Sequence, residues 1–314
     1  MVAVVIPCFR VHDTILNVLQ AIGPEIHRIY VVDDACPEKS GDYVKSHVKD
    51  PRIEVLFHSK NQGVGGAMVT GYKAAIRDNA EVVIKVDGDG QMDIAKIPLF
   101  IRAITTGEAD YVKGNRFYSW EMVAKMPKLR LIGNGILSFL CKSVSGYWSI
   151  MDPTNGYTAI SGQILKLLPL DKIDKGYFFE SDMLFRLGTL RALTLDLPLD
   201  AIYRGEKSSL SLFSAALDFP PKFIIRTLKR IGYNYFLRDF NIGSIYLLSS
   251  IFMISFGTSF GIYKWVHSVI VSTSSGTVML AALPVILGFQ LFVQFVSFDI
   301  TNEPKIAVHK LLLK

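Results

Sequence analysis

EVVIKVDGDGQMD, residues 81–93, is the stretch on which the reading of the fold turns. Residues 81–86 are a short apolar run, which predicts a strand buried in a sheet. The run stops on Asp87-Gly88-Asp89, and two carboxylates one residue apart at a strand end can face a single hard cation. Mg²⁺ and Mn²⁺ take oxygen ligands and bridge readily to substrate phosphates. An Asp-x-Asp pair also occurs in solvated turns. The apolar strand before it, glycines that let backbones approach closely, and Gln91 and Asp93 after it make this one a candidate site.

Outward from this stretch the same alternation recurs. Residues 2–7 form an apolar run ended by proline, 14–22 have helical spacing, and 28–32 form a second strand that ends on Asp33-Asp34. Residues 52–58 predict a third strand and 66–80 a helix. Strands alternating with helices imply a mainly parallel sheet with helices on both faces. Ligands of such sheets bind beyond the carboxyl ends of the strands, where both acidic pairs sit. The glycine-rich turn 61–66, which includes Gly65, precedes a helix and offers either a phosphate cradle or a plain turn. It lacks the spacing of a Rossmann or Walker loop. Downstream, 110–113 predict a strand, 129–142 a helix and 157–161 a short strand. A helix over 180–190 that stops at Gly188 follows, then a last strand over 191–196 with Pro198 after it.

The chain has 314 residues, 50% of them hydrophobic and 20% charged, and a net charge of +6. Its basic residues form no dense tract with interleaved aromatics in the first two hundred positions, which argues against nucleic acid. Five of the 34 Lys and Arg lie between Lys222 and Arg238, just before the apolar segments, which suits an anionic membrane surface. Three widely spaced cysteines make neither a disulfide framework nor a metal cluster and fit a reducing compartment. The N-terminus lacks the charged region and cleavage site of a signal peptide and reads as a strand. Residues 208–240 show apolar positions at helical spacing with basic residues between them, a pattern suited to a membrane interface. Residues 243–263 and 276–298 carry no charge, and each run is long enough to span hydrocarbon, which takes about 20 residues. The basic flanks outnumber the single Lys264 between them, which places both termini in the cytoplasm. The expected organisation is a catalytic domain over 1–207, interface helices over 208–240, and a two-span membrane domain with a short cytoplasmic tail over 241–314.

Seven stretches in this order resemble the family 2 glycosyltransferases of the GT-A fold: VVIPCFR (4–10), VVDDACPEKSG (31–41), KNQGVGGAMVTGYKAA (60–75), VDGDGQMD (86–93), KGNRF (113–117), DPTNGY (152–157) and FFESDM (178–183). Within the family, the basic lead-in and two C-terminal spans look like the dolichyl- and undecaprenyl-phosphate sugar synthases. The resemblance implies that Pro7, Phe9 and Asp34 line the nucleotide, joined by Asp33, Gly65, Asp87 and Gly88. It implies that Asp87, Asp89 and Gln91 hold Mg²⁺ or Mn²⁺ with the donor diphosphate, and that Arg116, Arg130 and Arg204 meet the acceptor phosphate. Asp89, Asp182 and Arg130 are then expected to carry the transfer. Two departures are Cys8-Phe9 after the first proline and Ala35 where the family usually has glycine. No QxxRW motif of the processive synthases is present, which favours a single transfer.

The implied function is inverting transfer of one sugar from a UDP- or GDP-sugar to polyprenyl phosphate at the cytoplasmic face, in an integral protein of a bacterial inner membrane. Its partners are the nucleotide sugar, polyprenyl phosphate and the bilayer, with a homo-oligomer left open. An acceptor phosphate is already anionic and needs positioning more than deprotonation. A lipid-linked sugar hydroxyl, the alternative acceptor, demands a base. A non-catalytic scaffold that recruits a flippase is the alternative of another class.

Overall fold

The computed structural model describes residues 1–118, 128–199, 212–267 and 274–312, and the side chains at 128–130, 132 and 212–216 lie outside that description. Seven strands are β1 (Val2–Cys8), β2 (Arg28–Asp33), β3 (Ile53–Phe57), β4 (Val82–Lys85), β5 (Tyr111–Asn115), β6 (Thr158–Ser161) and β7 (Thr194–Pro198). They form one sheet in the order β3-β2-β1-β4-β6-β5-β7. All neighbours pair in parallel except β6, which runs antiparallel to both β4 and β5.

Side chains alternate across the pleat, so the sheet feeds two cores. Ala3, Val5, Tyr30, Val32, Val83 and Tyr111 pack on the face covered by α3 (Val64–Arg77) and α7 (Phe179–Leu190). Val4, Ile6, Val31, Ile84 and Val112 pack on the face covered by α1 (Ile15–Ala21) and α4 (Ile97–Thr105). Helices α2 (Ser40–His47), α5 (Lys128–Ser145) and α6 (Gly162–Leu167) complete this part of the chain. Strands buried on both faces read as near-continuous apolar runs, and that is how β1, β2 and β4 stand in the sequence.

Two boundaries differ from expectation. Helix α7 does not stop at Gly188 but continues to Leu190 and ends at Arg191, which is left-handed at φ 56. Gly188 serves packing: a Cβ there would meet the carbonyl oxygen of Ser145 at 2.1 Å. The last strand begins at Thr194, and Pro198 lies within it, paired with Asn115. Strand β7 is an edge, where a residue without an N–H is tolerated.

The described chain divides into two compact units, Met1–Thr227 with Pro304–Lys314, and Leu228–Glu303. Helix α8 (Leu212–Gly232) continues through Pro220 and Pro221 and passes into a π-helical turn, Tyr233–Arg238. In the second unit, α9 (Ile242–His267) and α10 (Ser275–Thr301) have mean hydropathies of 1.7 and 2.1 and are long and apolar enough to cross a membrane. Only 17% and 11% of their most apolar windows are buried, unlike the core helices of a soluble domain. Gly257 and Gly288 let the two helices meet closely: a Cβ on Gly257 would lie 2.7 Å from the oxygen of Ala281, and one on Gly288 3.0 Å from the nitrogen of Ile254. Arg230 grips Asp299 with two hydrogen bonds of 2.7 and 2.9 Å, and the Tyr235 hydroxyl donates to the same carboxylate at 2.6 Å.

The segment from Pro304 onward packs in the first unit. Before α11 (Val308–Leu312) begins its turn, the Asp110 carboxylate accepts the backbone N–H groups of Val308 and His309, each at 2.8 Å. It also holds the His309 ring at 2.6 Å and the N–H of Leu193 at 2.7 Å. Asp110 is fully buried and His309 5% exposed.

Candidate active site

The turn after β4 places Asp87 and Asp89 beyond the carboxyl end of the strand, and Gly90 at φ 72 completes it. The turn is pinned to the start of α1, where the Thr14 hydroxyl donates to the Gly88 carbonyl at 2.6 Å and Val11 and Ile15 pack against Gly88. Asp89 Oδ1 accepts the N–H of Gln91 at 3.0 Å, so the loop shapes its second carboxylate locally. Behind the turn lies Lys85, 2% exposed, whose ammonium meets Asp87 Oδ1 at 2.9 Å and Glu180 Oε1 at 3.3 Å. Burial alone would lower the Lys85 pKa, but the charges of Asp87 and Glu180 more than reverse this and hold it above the ordinary range. A Cβ on Gly156 would fall 2.3 Å from this ammonium and 2.6 Å from Asp87 Oδ2, so only glycine leaves room for the pair.

The donor set fits Mg²⁺ or Mn²⁺ bound together with a diphosphate. Asp87 keeps 31% of its side chain exposed, and both aspartates are hard oxygen donors. Among the described residues no three His, Cys, Asp or Glu side chains cluster to cage an ion. Mg²⁺ is ordinarily held by one or two carboxylates with substrate phosphates supplying the rest.

The acidic pair after β2 has another task. Asp33 Oδ1 and Oδ2 accept the N–H groups of Cys36 and Gly41, both at 2.7 Å. Asp34 accepts the N–H of Gln62 at 2.8 Å and of Gly63 at 2.7 Å, and its Oδ1 lies 2.7 Å from the His58 ring. Both carboxylates are buried and tie loops together. In the glycine-rich turn the N–H groups of Gly65 and Gly66 donate to the Lys175 carbonyl at 2.9 and 3.2 Å. Gly65 permits that approach: its Cβ would lie 2.2 Å from the Asp174 oxygen. Ala35 takes φ 52, the left-handed region in which glycine is easiest, which gives the family's preference there a physical reason. Pro7 stays within β1, and Phe9, just past its end, is 39% exposed.

Arg116 forks onto Asp152, Nε to Oδ2 at 2.7 Å and Nη2 to Oδ1 at 3.1 Å, and Asp152 is fully buried. Beside it lies Lys113, also fully buried, donating to the Asn155 carbonyl. Burial lowers the Lys113 pKa to about 8. Its register partner on β7, Asp196, is raised to about 6, chiefly by burial. Asp196 accepts the Met151 N–H at 2.7 Å, and its Oδ1 meets no hydrogen-bond partner among the described residues.

Asp182 is enclosed rather than presented. Its Oδ2 takes Arg186 Nε at 2.9 Å and the Asp174 N–H at 3.0 Å, and its Oδ1 takes Arg226 Nε at 2.5 Å. It has no exposed surface, and both its oxygens are engaged. Glu180, two residues earlier, is the α7 carboxylate that reaches the Asp87 turn, through Lys85. Arg130 has its backbone in α5 and its side chain outside the described part, and Arg204 lies outside the described residues altogether. Sequence reasoning passed over Lys85, Gly156 and Arg226. A lysine inside an apolar strand was the one visible signal.

Residues 3–168 match the model of glycosyl transferase family 2. The chain is 30% identical over 178 residues to the undecaprenyl-phosphate mannosyltransferase of Micrococcus luteus, covering 56% of this chain and 72% of that protein. It is 27% identical over 220 residues to the UDP-N-acetylglucosamine–dolichyl-phosphate N-acetylglucosaminyltransferase of Methanococcus voltae, covering 65% and 86%. Among solved structures, glucosyl-3-phosphoglycerate synthase from Mycobacterium tuberculosis, crystallised with UDP, superposes with a TM-score of 0.53 at 19% identity, over 74% of this chain and 80% of that one. That likeness is one of fold. A matched family model over more than half the chain, with the acidic turn at the carboxyl end of β4, makes this protein a member of glycosyl transferase family 2.

Proposed function

We propose that the protein moves one sugar, with inversion, from a UDP- or GDP-linked donor to polyprenyl phosphate at the cytoplasmic face of a membrane. The observation that carries this reading is the Asp87-Gly88-Asp89 turn at the end of β4, in a chain whose relatives are named for undecaprenyl-phosphate and dolichyl-phosphate transfer. The two apolar helices support a membrane setting, with both termini cytoplasmic by the balance of basic flanks.

Asp87 and Asp89, with Gln91, would hold Mg²⁺ or Mn²⁺, whose chemistry is to neutralise the diphosphate as it leaves. A related fold has been crystallised with Mn²⁺ and UDP-glucose, which supports that pairing. The exposed Phe9 ring offers a stacking surface for the base, while Asp33 and Asp34 build the loops around it. Lys85 fixes one oxygen of Asp87 from below. The buried Asp152 holds the Arg116 guanidinium in one orientation, and a preset fork suits a phosphate better than a flexible ammonium does. Arg130 and Arg204 complete the set assigned to the acceptor.

The enclosed Asp182 favours phosphate over a sugar hydroxyl as acceptor. A phosphate oxygen is anionic near neutral pH and needs no base. The test is to incubate purified protein with a panel of nucleotide sugars and undecaprenyl phosphate and to weigh the lipid by mass spectrometry. A single added hexose is the expected product. Donor consumption with the lipid unchanged would sink the acceptor assignment. Arg130→Lys and Arg204→Lys should raise the apparent KM for polyprenyl phosphate and leave donor binding near wild type.

A further inference from the structure

Lys85 stands on the face of β4 that also presents Val83, among Tyr72, Tyr111 and Thr158, where an apolar residue would be ordinary. Placing an ammonium there is unfavourable unless opposite charge lies within reach. Two carboxylates do, at 2.9 and 3.3 Å, and the absent Cβ of Gly156 leaves them the space. The arrangement therefore keeps a cation permanently behind the first aspartate of the acidic turn.

We propose that Lys85 makes metal uptake conditional on the donor: it occupies Asp87 so that the turn takes a divalent cation only together with a nucleoside diphosphate. The inference rests on the metal-dependent reading above. One oxygen of Asp87 is already hydrogen-bonded to the ammonium, whose charge opposes a second cation at the same carboxylate. Among the described residues no third acidic, His or Cys ligand joins Asp87 and Asp89. A diphosphate changes both terms. It brings oxygen ligands and negative charge, and it is attracted to the metal and to Lys85 alike. Glu180 sets the balance from the other side by sharing the ammonium.

Mn²⁺ is the probe, counted as protein-bound ion by equilibrium dialysis of purified full-length protein, with and without UDP or GDP. The wild type should bind Mn²⁺ at least ~10-fold more tightly with the nucleoside diphosphate than without it. Lys85→Met should bind Mn²⁺ alone at least ~10-fold more tightly than wild type, and the effect of diphosphate should shrink at least ~3-fold relative to wild type. Glu180→Gln should shift the other way, with weaker Mn²⁺ binding and the dependence retained. If Lys85→Met does not fold, Lys85→Met/Glu180→Gln removes both buried charges together and should show the same shrunken dependence. Wild type that binds Mn²⁺ equally well with and without diphosphate overturns the proposal while leaving a metal enzyme standing. So does a folded Lys85 variant with undiminished dependence. No Mn²⁺ binding in either condition removes the metal reading itself, and this inference with it.

Discussion

Asp89 is the residue whose role is simplest to isolate, because the bond from Thr14 to the Gly88 carbonyl also pins its turn to α1. Asp89→Ala should lower transfer at least ~100-fold, about 2.7 kcal/mol of barrier, with the fold intact. EDTA should stop the wild type and Mg²⁺ or Mn²⁺ restore it, read as initial rates. Full activity of the variant in EDTA would remove the metal from the mechanism. Asp196 offers a different measurement. Burial raises its folded pKa to about 6 from the unfolded 3.8, so the folded state binds its proton more tightly. Stability from this group is present below the unfolded value and is lost as pH rises through about 6. Lys113 opposes it at higher pH: its folded value of about 8 lies below the unfolded one, so stability is regained as pH rises beyond 8. Asp196→Asn should flatten the loss between pH 4 and about 6 in thermal melts, and an unchanged slope would place the titration elsewhere.

At the scale of elements, the clamp between α7 and α8 is the clearest case. Arg226 and Arg186 neutralise the buried Asp182, Lys222 reaches Asp174 at 2.9 Å, and the Arg226 guanidinium lies 4.9 Å from the Phe178 ring centre. Arg226→Ala leaves Asp182 paired with Arg186 but takes the partner from its Oδ1, and should destabilise the first unit by about 1–3 kcal/mol, with Arg226→Lys milder, measured by denaturant titration. This clamp was not legible in the sequence, where the same basic residues read as one face of an interface helix. Helical spacing says which residues share a face, not which carboxylate from a distant element will meet them. The alternation of strands and helices was legible, because β1, β2 and β4 are apolar runs ended by acidic or proline residues. The reversed direction of β6 was not, since four buried residues look alike whichever way they run. Asp34 and Gly65 sit in loops that the motif pattern marked. The motif could not show that their hydrogen bonds are used on one another's loops.

At the scale of the whole molecule, the two apolar helices and their basic flanks set the expected topology. Cys8, Cys36 and Cys141 are all buried, so an added thiol reports with little background. In sealed right-side-out vesicles, cysteine in place of Ser274 should be labelled from outside, and a tag at either terminus should stay protected. Labelling of the C-terminal tag from outside would rule out the two-span arrangement.

The docking of residues 304–312 in the first unit carries a consequence for how the protein is made. Asp110 emerges early from the ribosome, yet three of the four polar contacts of its carboxylate come from Val308 and His309. Those residues are synthesised only after both apolar helices. Translation proceeds N-terminus first at about 5–20 residues per second, so the nascent domain waits several seconds with a buried carboxylate only partly satisfied. Biogenesis therefore has a built-in last step: the first unit closes only after α9 and α10 have been synthesised and residues 304–312 follow them. A nascent chain stalled before Pro304 should be cleaved by added protease around β5, and one released with the tail should resist.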